Sequence, residues 1–372
     1  MTNTFRQWIY RGPSDAALSV EQFELREAPI PELRDGEALV RTKLLNVHAA
    51  TRTRMAQGLT VLGQTDTSNY ACAEVVHSRD RAFKEGDIIA CQVGWQDYQV
   101  IRSQDGPVHY SPPHALVQAL NGTRSQWCYV FRPAMVAMWP ADVLLTVFGT
   151  SGMTAYFGLR ECGPVMPRDT VAVAGATGAV GAIAAQLAKI AGAYVVGFGG
   201  GAERCRWVVD TLGIDACLDY RADDFEPQLK TAFPDGIDLF SDGIGGVLTD
   251  VVTRNMNRNG RLFSYGGAAA FYAEDALADR SSERPGLRRA FGLTDAIEAR
   301  LRAGNIKSEA WVVDAFYHER LRAEDDLSRL LLSGALKPIN NVVDGFENLP
   351  SAVVGLYQNG RSGKQQVRFE SA

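Results

Sequence analysis

The spacing of apolar residues changes partway along this chain. Over the first hundred residues, short apolar runs alternate with turn residues, a spacing typical of a β-rich domain built from short strands. The strands predicted there cover residues 8–10, 38–42, 70–76, 87–93 and 98–101. Two later segments, 114–139 and 273–285, show little periodicity and are predicted to be irregular loops.

From about residue 147, short β-branched runs alternate with helical stretches of ten or more residues. Strands are predicted at 170–174, 194–198, 216–219, 237–240 and 261–265, and helices at 178–191 and 202–212. This alternation indicates βαβ units and a parallel sheet. A last strand at 366–369 follows a helix at 349–358 and is predicted to return to the first domain. The sequence therefore predicts an α/β protein, with one domain at 1–145 and 338–372 and a second at 146–337.

Composition excludes several classes of protein. The 372 residues carry a net charge of −5 without a basic block, which argues against nucleic acid or an anionic membrane as partner. The first residues lack the apolar core of a signal peptide, and no apolar stretch is long enough to span a bilayer. The six cysteines form no CxxC pair, so we expect reduced thiols in a cytoplasmic protein without a structural zinc lobe.

The most specific local signal is the segment Val171-Ala-Val-Ala-Gly-Ala-Thr-Gly-Ala-Val-Gly181, where a predicted strand meets three glycines and a helix begins at once. Small residues let the backbone approach a pyrophosphate, whose charge is bound by the N–H groups at the helix start. A glycine triplet alone is a weak signal, because tight strand–helix turns also use glycine. Here it lies inside a βαβ unit, so the segment predicts a dinucleotide site.

The end of the next predicted strand indicates which dinucleotide binds. It reads Gly199-Gly200-Gly201, without the acidic residue that binds the ribose 2′-hydroxyl of NAD. Arg204 follows in the first helical turn, and its planar guanidinium suits a 2′-phosphate. The alternative for Arg204 is an exposed helix residue. The pattern favours NADPH as the cofactor.

The histidines offer no metal site by their spacing. None of them lies in a His-Glu pair or near a suitably spaced cysteine: His48, His77, His109, His114 and His318. Without a metal, carbonyl reduction lacks its usual electrophile, whereas a conjugated C=C bond stays reducible because the substrate's own carbonyl carries the developing charge. We therefore expect no metal, and a site that supplies hydride positioning, a hydrogen bond at oxygen and a proton.

Several segments together resemble the zinc-independent medium-chain dehydrogenases/reductases, in the branch of prostaglandin, plant 2-alkenal and bacterial curcumin reductases. The matching segments are 94–98, 152–159, 174–181, 199–206, 235–238, 345–348 and 363–364. The resemblance covers most of the chain from Gly36 onward. It implies a GroES-like catalytic domain, a Rossmann domain, a cleft for NADPH and an α,β-unsaturated ketone or aldehyde, and a homodimer.

The resemblance also implies individual contacts. Thr154 and Tyr156 would lie beside the nicotinamide, and Arg204 and Tyr220 at the 2′-phosphate. The other implied cofactor contacts are Ala176, Thr177, Gly178, Ala179, Val180, Gly200, Gly243, Gly266, Phe271, Trp311, Val312 and Arg361, and the implied substrate contacts are Ala50, Arg52, Trp95 and Phe271. Helix packing is an equal alternative for Tyr156, and an aromatic such as Trp95 is more often part of a core.

This chain departs from the family pattern near the substrate. The family's Asp-Pro-Tyr-Met-Arg stretch is replaced by His48-Ala-Ala-Thr-Arg52, so a tyrosine is missing and His48 could supply a hydrogen bond or a proton. The alternative is a loop histidine without a role. A second family tyrosine aligns with Phe271, one residue before Tyr272. We expect Tyr272 or His48 to hold the substrate oxygen.

A third departure is an insertion of roughly twenty residues within 114–139. Its aromatic residues could cap the substrate cleft or contact a partner subunit: Trp127, Tyr129, Phe131 and Trp139.

The sequence thus favours an NADPH-dependent enone or enal reductase. A quinone or carbonyl oxidoreductase of the same fold, and a catalytically inert NADP-binding module, remain open as alternatives.

Overall fold

The computed structural model describes residues 4–12, 18–48, 51, 55, 60–105, 128–267, 287–311, 313–359 and 362–369. The chain divides into two units, Met1–Gly149 with Asn340–Ala372, and Thr150–Ile339. Every helix within the described ranges is too short or too polar to span a bilayer.

The first unit is built mainly from short antiparallel strands. Its elements are β1 (Thr4–Tyr10), β2 (Phe23–Pro29), β3 (Ala38–Asn46), β4 (Asn69–Ser78), β5 (Ile88–Val93), β6 (Tyr98–Ile101), β7 (Cys128–Val130), α1 (Pro133–Met138), α2 (Ala141–Thr146), β14 (Asn340–Asp344), α11 (Leu349–Asn359) and β15 (Lys364–Arg368). One sheet has the order β14-β15-β3-β4-β5-β7 with β6 also on β3, and β1 pairs with β2. The pairing of β15 with β3 confirms that the last strand returns to the first unit.

The prediction of an irregular loop is wrong for the part of 114–139 that the structure describes. β7 pairs with β5 in an antiparallel register, because its apolar side chains are buried on both faces. Pro133 then opens α1 at a position where its missing N–H costs nothing. Tyr129 and Phe131 are each 2% exposed and meet edge to face at 5.4 Å, so they pack within this chain rather than cover a ligand.

The second unit is a parallel sheet with helices between its strands. Its elements are α3 (Thr150–Phe157), β8 (Thr170–Ala174), α4 (Ala179–Ile190), β9 (Tyr194–Gly199), α5 (Ala202–Leu212), β10 (Ala216–Asp219), α6 (Phe225–Ala232), β11 (Ile237–Asp242), α7 (Val247–Thr253), β12 (Met256–Ser264), α8 (Leu287–Ala290), α9 (Asp295–Ala303), β13 (Lys307–Ala310) and α10 (Arg320–Leu332). The strand order is β10-β9-β8-β11-β12-β13. This doubly wound α/β architecture confirms the predicted fold class.

The parallel sheet forms because its central strands are apolar on both faces. Val171, Ala172 and Val173 of β8 have no accessible surface, as helices cover both sides of the strand. Since all these strands run in parallel, their carboxyl ends share one edge of the sheet. In such sheets, ligands bind outside that edge.

Candidate active site

The turn between β8 and α4 is held tightly by its own backbone. Ala176 N–H donates to Phe198 O at 3.1 Å, and Gly178 N–H donates to Gly175 O at 2.8 Å. A Cβ on Gly181 would lie only 2.2 Å from Gly175 O, so the helix can start directly against the turn only because this residue is glycine. The turn therefore offers its backbone to a ligand at close range.

The start of α4 presents N–H groups that the helix itself does not use. The first helical hydrogen bond runs from Ala182 N–H to Gly178 O at 2.9 Å. The N–H groups of Ala179 and Val180 therefore face the open end of the helix, and Thr177 is half-buried just before them. Such an end binds a pyrophosphate through hydrogen bonds and the helix dipole.

Two guanidinium groups meet above Gly200 at the tip of β9. A Cβ on Gly200 would lie 3.0 Å from both Cζ and Nε of Arg221, and 3.2 Å from Nη2 of Arg204. Arg204 Nε also donates to the Gly200 carbonyl oxygen at 2.7 Å. Like charges this close repel each other. The nearby Asp219 carboxylate offsets part of this repulsion, and an anion between the two guanidinium groups would offset more of it while gaining charge-assisted hydrogen bonds. The pair is suited to a phosphate.

Arg221 was missed from the sequence, although it directly follows Tyr220. Its Cζ lies 5.5 Å from the centroid of the Tyr220 ring, and Tyr220 N–H donates to Gly199 O at 3.1 Å. Asp219 fixes the same loop by accepting from Arg221 N–H at 3.0 Å. A hydrogen bond from Gly201 N–H is the main cause that holds the pKa of the Asp219 carboxyl below its usual value. Tyr220 and both arginines thus lie on one ordered loop cluster.

A buried carboxyl organises the turn after β11. Asp242 has no accessible surface and accepts from Ile244 N–H at 2.9 Å, Gly245 N–H at 3.1 Å and Thr249 Oγ1 at 2.5 Å. Burial raises the pKa of this carboxyl, while the three hydrogen bonds oppose the shift. Asp242 therefore acts as a support for the turn that carries Gly243. Sequence reasoning did not single it out.

Gly243 and Gly266 lie side by side at the same edge of the sheet. A Cβ on Gly266 would be 3.0 Å from Gly243 O, and a Cβ on Gly243 would be 2.5 Å from the ring of Tyr265. Both positions therefore need glycine for close packing. The structure thus brings the ends of β8, β9, β11 and β12, with their predicted cofactor residues, to one edge.

Polar atoms without partners lie at the ends of β12 and β13. Trp311 N–H donates to Ser264 O at 3.1 Å. The buried Ser264 hydroxyl and the Trp311 indole nitrogen have no hydrogen-bond partner among the described residues. An unsatisfied buried donor costs about 1–3 kcal/mol, which a polar ligand would recover. A polar ligand at this end of the sheet could bond to both groups, and a cofactor contact for Trp311 stays a prediction.

The two predicted residues on α3 differ in their surroundings. Thr154 is buried, at 6% exposure. The Tyr156 hydroxyl donates to Asp326 Oδ2 at 2.6 Å, and burial raises the pKa of Tyr156 to about 12. Because the hydroxyl is engaged on α10, the structure favours the helix-packing alternative for Tyr156.

In the first unit, His48 lies next to a buried lysine. Its ring is 5.9 Å from that of Tyr70, in an edge arrangement. Burial, and then the charge of Lys364, lower the pKa of His48 well below its usual value. The imidazole is therefore neutral near pH 7. In this form its ring N–H can donate a hydrogen bond, but the ring carries no second proton that it could release as an acid.

Lys364 itself gives a testable pH dependence. It is 6% exposed, its Nζ donates to Val47 O at 3.0 Å, and burial lowers its pKa to about 7. Between pH 7 and 10.5 the unfolded chain therefore binds a proton that the folded chain lacks, so stability rises with pH and is lost as pH falls through 7. The free energy of unfolding of the wild type, relative to Lys364→Met, should rise by about 2 kcal/mol from pH 7 to pH 9.

Guanidinium denaturation at pH 7, 8 and 9 measures this difference. The exposed Lys84 supplies the control, since Lys84→Met should run parallel to the wild type. Parallel curves for Lys364→Met as well would contradict the buried-lysine argument.

Trp95 lies in the core of the first unit. It has no accessible surface, its indole N–H donates to Asn69 Oδ1 at 3.0 Å, and its ring stacks on Phe23 at 4.8 Å. These contacts favour the core alternative over the substrate pocket for Trp95.

Other predicted residues lie outside the described part of the chain: Ala50, Arg52, Phe271, Tyr272, Val312 and Arg361. The insertion residue Trp127 also lies there. Within the described ranges, no three His, Cys, Asp or Glu side chains converge in a way that could hold a metal ion. Metal independence stays a prediction, which metal analysis of the purified protein would test.

A parallel sheet with a glycine turn, an anion-binding helix start and paired guanidinium groups defines a dinucleotide-binding enzyme unit. Two family models match the chain: N-terminal domain of oxidoreductase over residues 6–107, and zinc-binding dehydrogenase over residues 179–298. The chain belongs to the medium-chain dehydrogenase/reductase family, which confirms the resemblance found in its motifs.

Individual relatives match over nearly their whole length. NADPH-dependent curcumin reductase of Escherichia coli (strain K12) is 29% identical over 368 residues, which cover 98% of this chain and 96% of the relative. Prostaglandin reductase 1 of Bos taurus is 28% identical over 351 residues, or 93% of each chain. Among solved structures, CurA from Vibrio vulnificus in complex with NADPH is 27% identical with a TM-score of 0.77, covering 99% of this chain and 100% of that one.

Proposed function

We propose that this chain reduces the C=C bond of an α,β-unsaturated ketone or aldehyde with NADPH, and that it does so without a metal. The observation that carries the cofactor choice is the guanidinium pair above Gly200, at a strand end that lacks an acidic residue. The similarity to proteins named NADPH-dependent curcumin reductase and prostaglandin reductase 1 supports the reaction class.

The second unit supplies the cofactor contacts. The turn residues Ala176, Thr177 and Gly178, with the N–H groups of Ala179 and Val180, hold the pyrophosphate. Arg204 and Arg221 bind the 2′-phosphate, with Tyr220 and Gly200 beside them. The rest of the cofactor is bordered by Gly243, Gly266, Thr154 and Trp311. The proposed set of cofactor contacts is completed by Phe271, Val312 and Arg361. When bound, NADPH supplies the hydride for the β-carbon.

The substrate oxygen needs a hydrogen-bond donor as enolate charge develops on it. We assign this role to Tyr272 or to His48, whose neutral imidazole can donate without changing charge. Ala50 and Arg52 stay proposed as neighbours of the substrate.

Single substitutions distinguish the two donors. Tyr272→Phe removes a hydroxyl, and His48→Phe removes the ring N–H while keeping an aromatic ring. Loss of the true donor should lower kcat about 10²–10³-fold and leave the Kd for NADPH within about twofold. Because the pKa of His48 is already low, His48 stays neutral between pH 6.5 and 8, and its titration should not change the wild-type kcat over that range. Unchanged rates in both variants would remove both residues from the mechanism.

Oxidation of NADPH with an enone, a quinone and an aldehyde as separate substrates tests the proposed function. Turnover of the enone alone supports C=C reduction, whereas turnover of only the quinone or the aldehyde reassigns the enzyme. NADPH binding without turnover of any of them would indicate an inert module. Product analysis by NMR with 4-deuterated NADPH should place the deuterium on the β-carbon.

The cellular location, oligomeric state and partners of the enzyme are also part of the proposal. We infer a cytoplasmic homodimer that acts on a small molecule, without nucleic acid or membrane as partner. β13 supports a dimer because it is the last strand on one side of the described sheet and presents a free edge. Light scattering at micromolar concentration tests the dimer.

A further inference from the structure

Two thiols meet beneath the loop that carries the guanidinium pair. Cys205 lies in α5, and Cys217 lies on β10 beside Gly197 of β9. A Cβ on Gly199 would be 3.2 Å from Sγ of Cys205 and 3.6 Å from Sγ of Cys217, so both sulfurs converge on the end of β9. The Cys217 thiol donates a hydrogen bond to Cys205.

The pKa values of the two thiols shift in opposite directions. The hydrogen bond from Cys217 is the main cause that lowers the pKa of Cys205, and Gly199 N–H adds to it. The same hydrogen bond, together with burial, raises the pKa of Cys217. Cys205 is buried, whereas Cys217 is half-buried. The thiolate is the reactive form, so Cys205 has the character of a nucleophile and Cys217 that of its resolving partner.

We propose that Cys205 and Cys217 form a disulfide when the enzyme meets a peroxide, and that this bond weakens NADPH binding. The Cys205 thiolate attacks one peroxide oxygen, the O–O bond breaks, and hydroxide leaves, which gives a sulfenic acid. The Cys217 thiol then attacks that sulfur, the S–O bond breaks, and its own proton leaves with the oxygen as water. The released hydroxide takes up the proton that Cys205 gave up when it ionised. Overall the two thiols lose two electrons, and one hydrogen peroxide is reduced to two waters.

The disulfide would act on the phosphate site through the elements that carry it. A covalent S–S bond is about 2.05 Å long, which is shorter than a hydrogen-bonded contact between two thiols. Closing it draws α5 and β10 together. Arg204 precedes Cys205 on α5, and Arg221 follows two residues after β10 ends. The bond therefore shifts one guanidinium against the other, and Cys205 loses the hydrogen bond that it accepts from Gly199 N–H as a thiolate. This effect on affinity rests on the proposed NADPH site.

The test uses the full-length protein, first reduced and then treated with a small excess of hydrogen peroxide. Peptide mapping by mass spectrometry should find Cys205 linked to Cys217, with the loss of two hydrogens. Calorimetry should show that the Kd for NADPH rises about fivefold on oxidation, that NADH binding changes less than about twofold, and that dithiothreitol restores the initial value. Cys217→Ser should bind NADPH normally and keep its affinity after peroxide.

The matched control is the pair Cys91 and Cys128. These residues face each other across β5 and β7, yet neither has any accessible surface. Three outcomes would each overturn the proposal: a disulfide between Cys91 and Cys128 in place of the proposed one, no disulfide at all, or a Cys205–Cys217 disulfide that leaves the NADPH affinity unchanged. A reduced protein without NADPH affinity would instead defeat the proposed function, because the mapping result does not depend on the cofactor.

Discussion

Replacing Arg204 and Arg221 together with alanine is expected to weaken NADPH binding by about two to three orders of magnitude, while NADH binding stays within about twofold. A hydrogen bond to a charged group contributes about 1.5–3 kcal/mol, and each guanidinium is placed to make at least one to the 2′-phosphate. NADH lacks that phosphate, so it loses nothing when the arginines are removed. Calorimetry with both reduced cofactors measures the two dissociation constants directly.

Each single variant should bind NADPH about tenfold or more weakly, and the two losses of binding free energy need not add. The two cations repel each other in the free protein, so removing one relieves some strain before the ligand arrives. Arg206→Ala is the matched control because Arg206 is exposed on the same helix. An equal loss for NADPH and NADH would show that the arginines support the loop and do not contact the phosphate.

A simpler ligand isolates the same interaction. Adenosine 2′,5′-bisphosphate should compete with NADPH, and 5′-AMP should compete far less. In the double variant, this difference between the two nucleotides should vanish. Equal competition by the two nucleotides would show that the 2′-phosphate does not bind at the two arginines.

Three of the parallel strands, β8, β9 and β10, could be predicted to within one residue from the sequence, because each is a short, mainly apolar run between turn residues. β11 extends two residues beyond its predicted end, and β12 begins five residues before its predicted start. β13 and β2 were not predicted. β13 reads Lys-Ser-Glu-Ala and β2 carries five exposed residues, so their pairing depends on the neighbouring strand and leaves no apolar pattern to read.

The cofactor site divides in a similar way. The glycine turn and Arg204 are local in sequence, so spacing alone was enough to predict them. Arg221 is seventeen positions from Arg204 and reaches the same point only because β10 lies next to β9. Asp242 was missed because its role is to hold the turn around Gly243 through backbone hydrogen bonds, which have no sequence pattern of their own.

Gly181→Ala is expected to abolish cofactor binding and to lower the free energy of unfolding by about 2–3 kcal/mol. The added Cβ would lie 2.2 Å from the oxygen and 2.6 Å from the carbonyl carbon of Gly175, and 2.9 Å from the nitrogen of Ala176. These are backbone atoms of the turn itself, so no side chain can rotate away to make room. The start of α4 must then move off the turn, and the N–H groups that would bind the pyrophosphate move with it.

Gly355→Ala is the matched control, because Gly355 is also inside a helix but nothing lies within 4 Å of its missing Cβ. There alanine should stabilise the chain by up to about 1 kcal/mol, since it favours the helix over the unfolded state. Chemical denaturation and NADPH calorimetry on both variants give the comparison. If Gly181→Ala bound NADPH as tightly as Gly355→Ala, the close approach of turn and helix would not be what forms the dinucleotide site, and the pyrophosphate would have to bind through other groups.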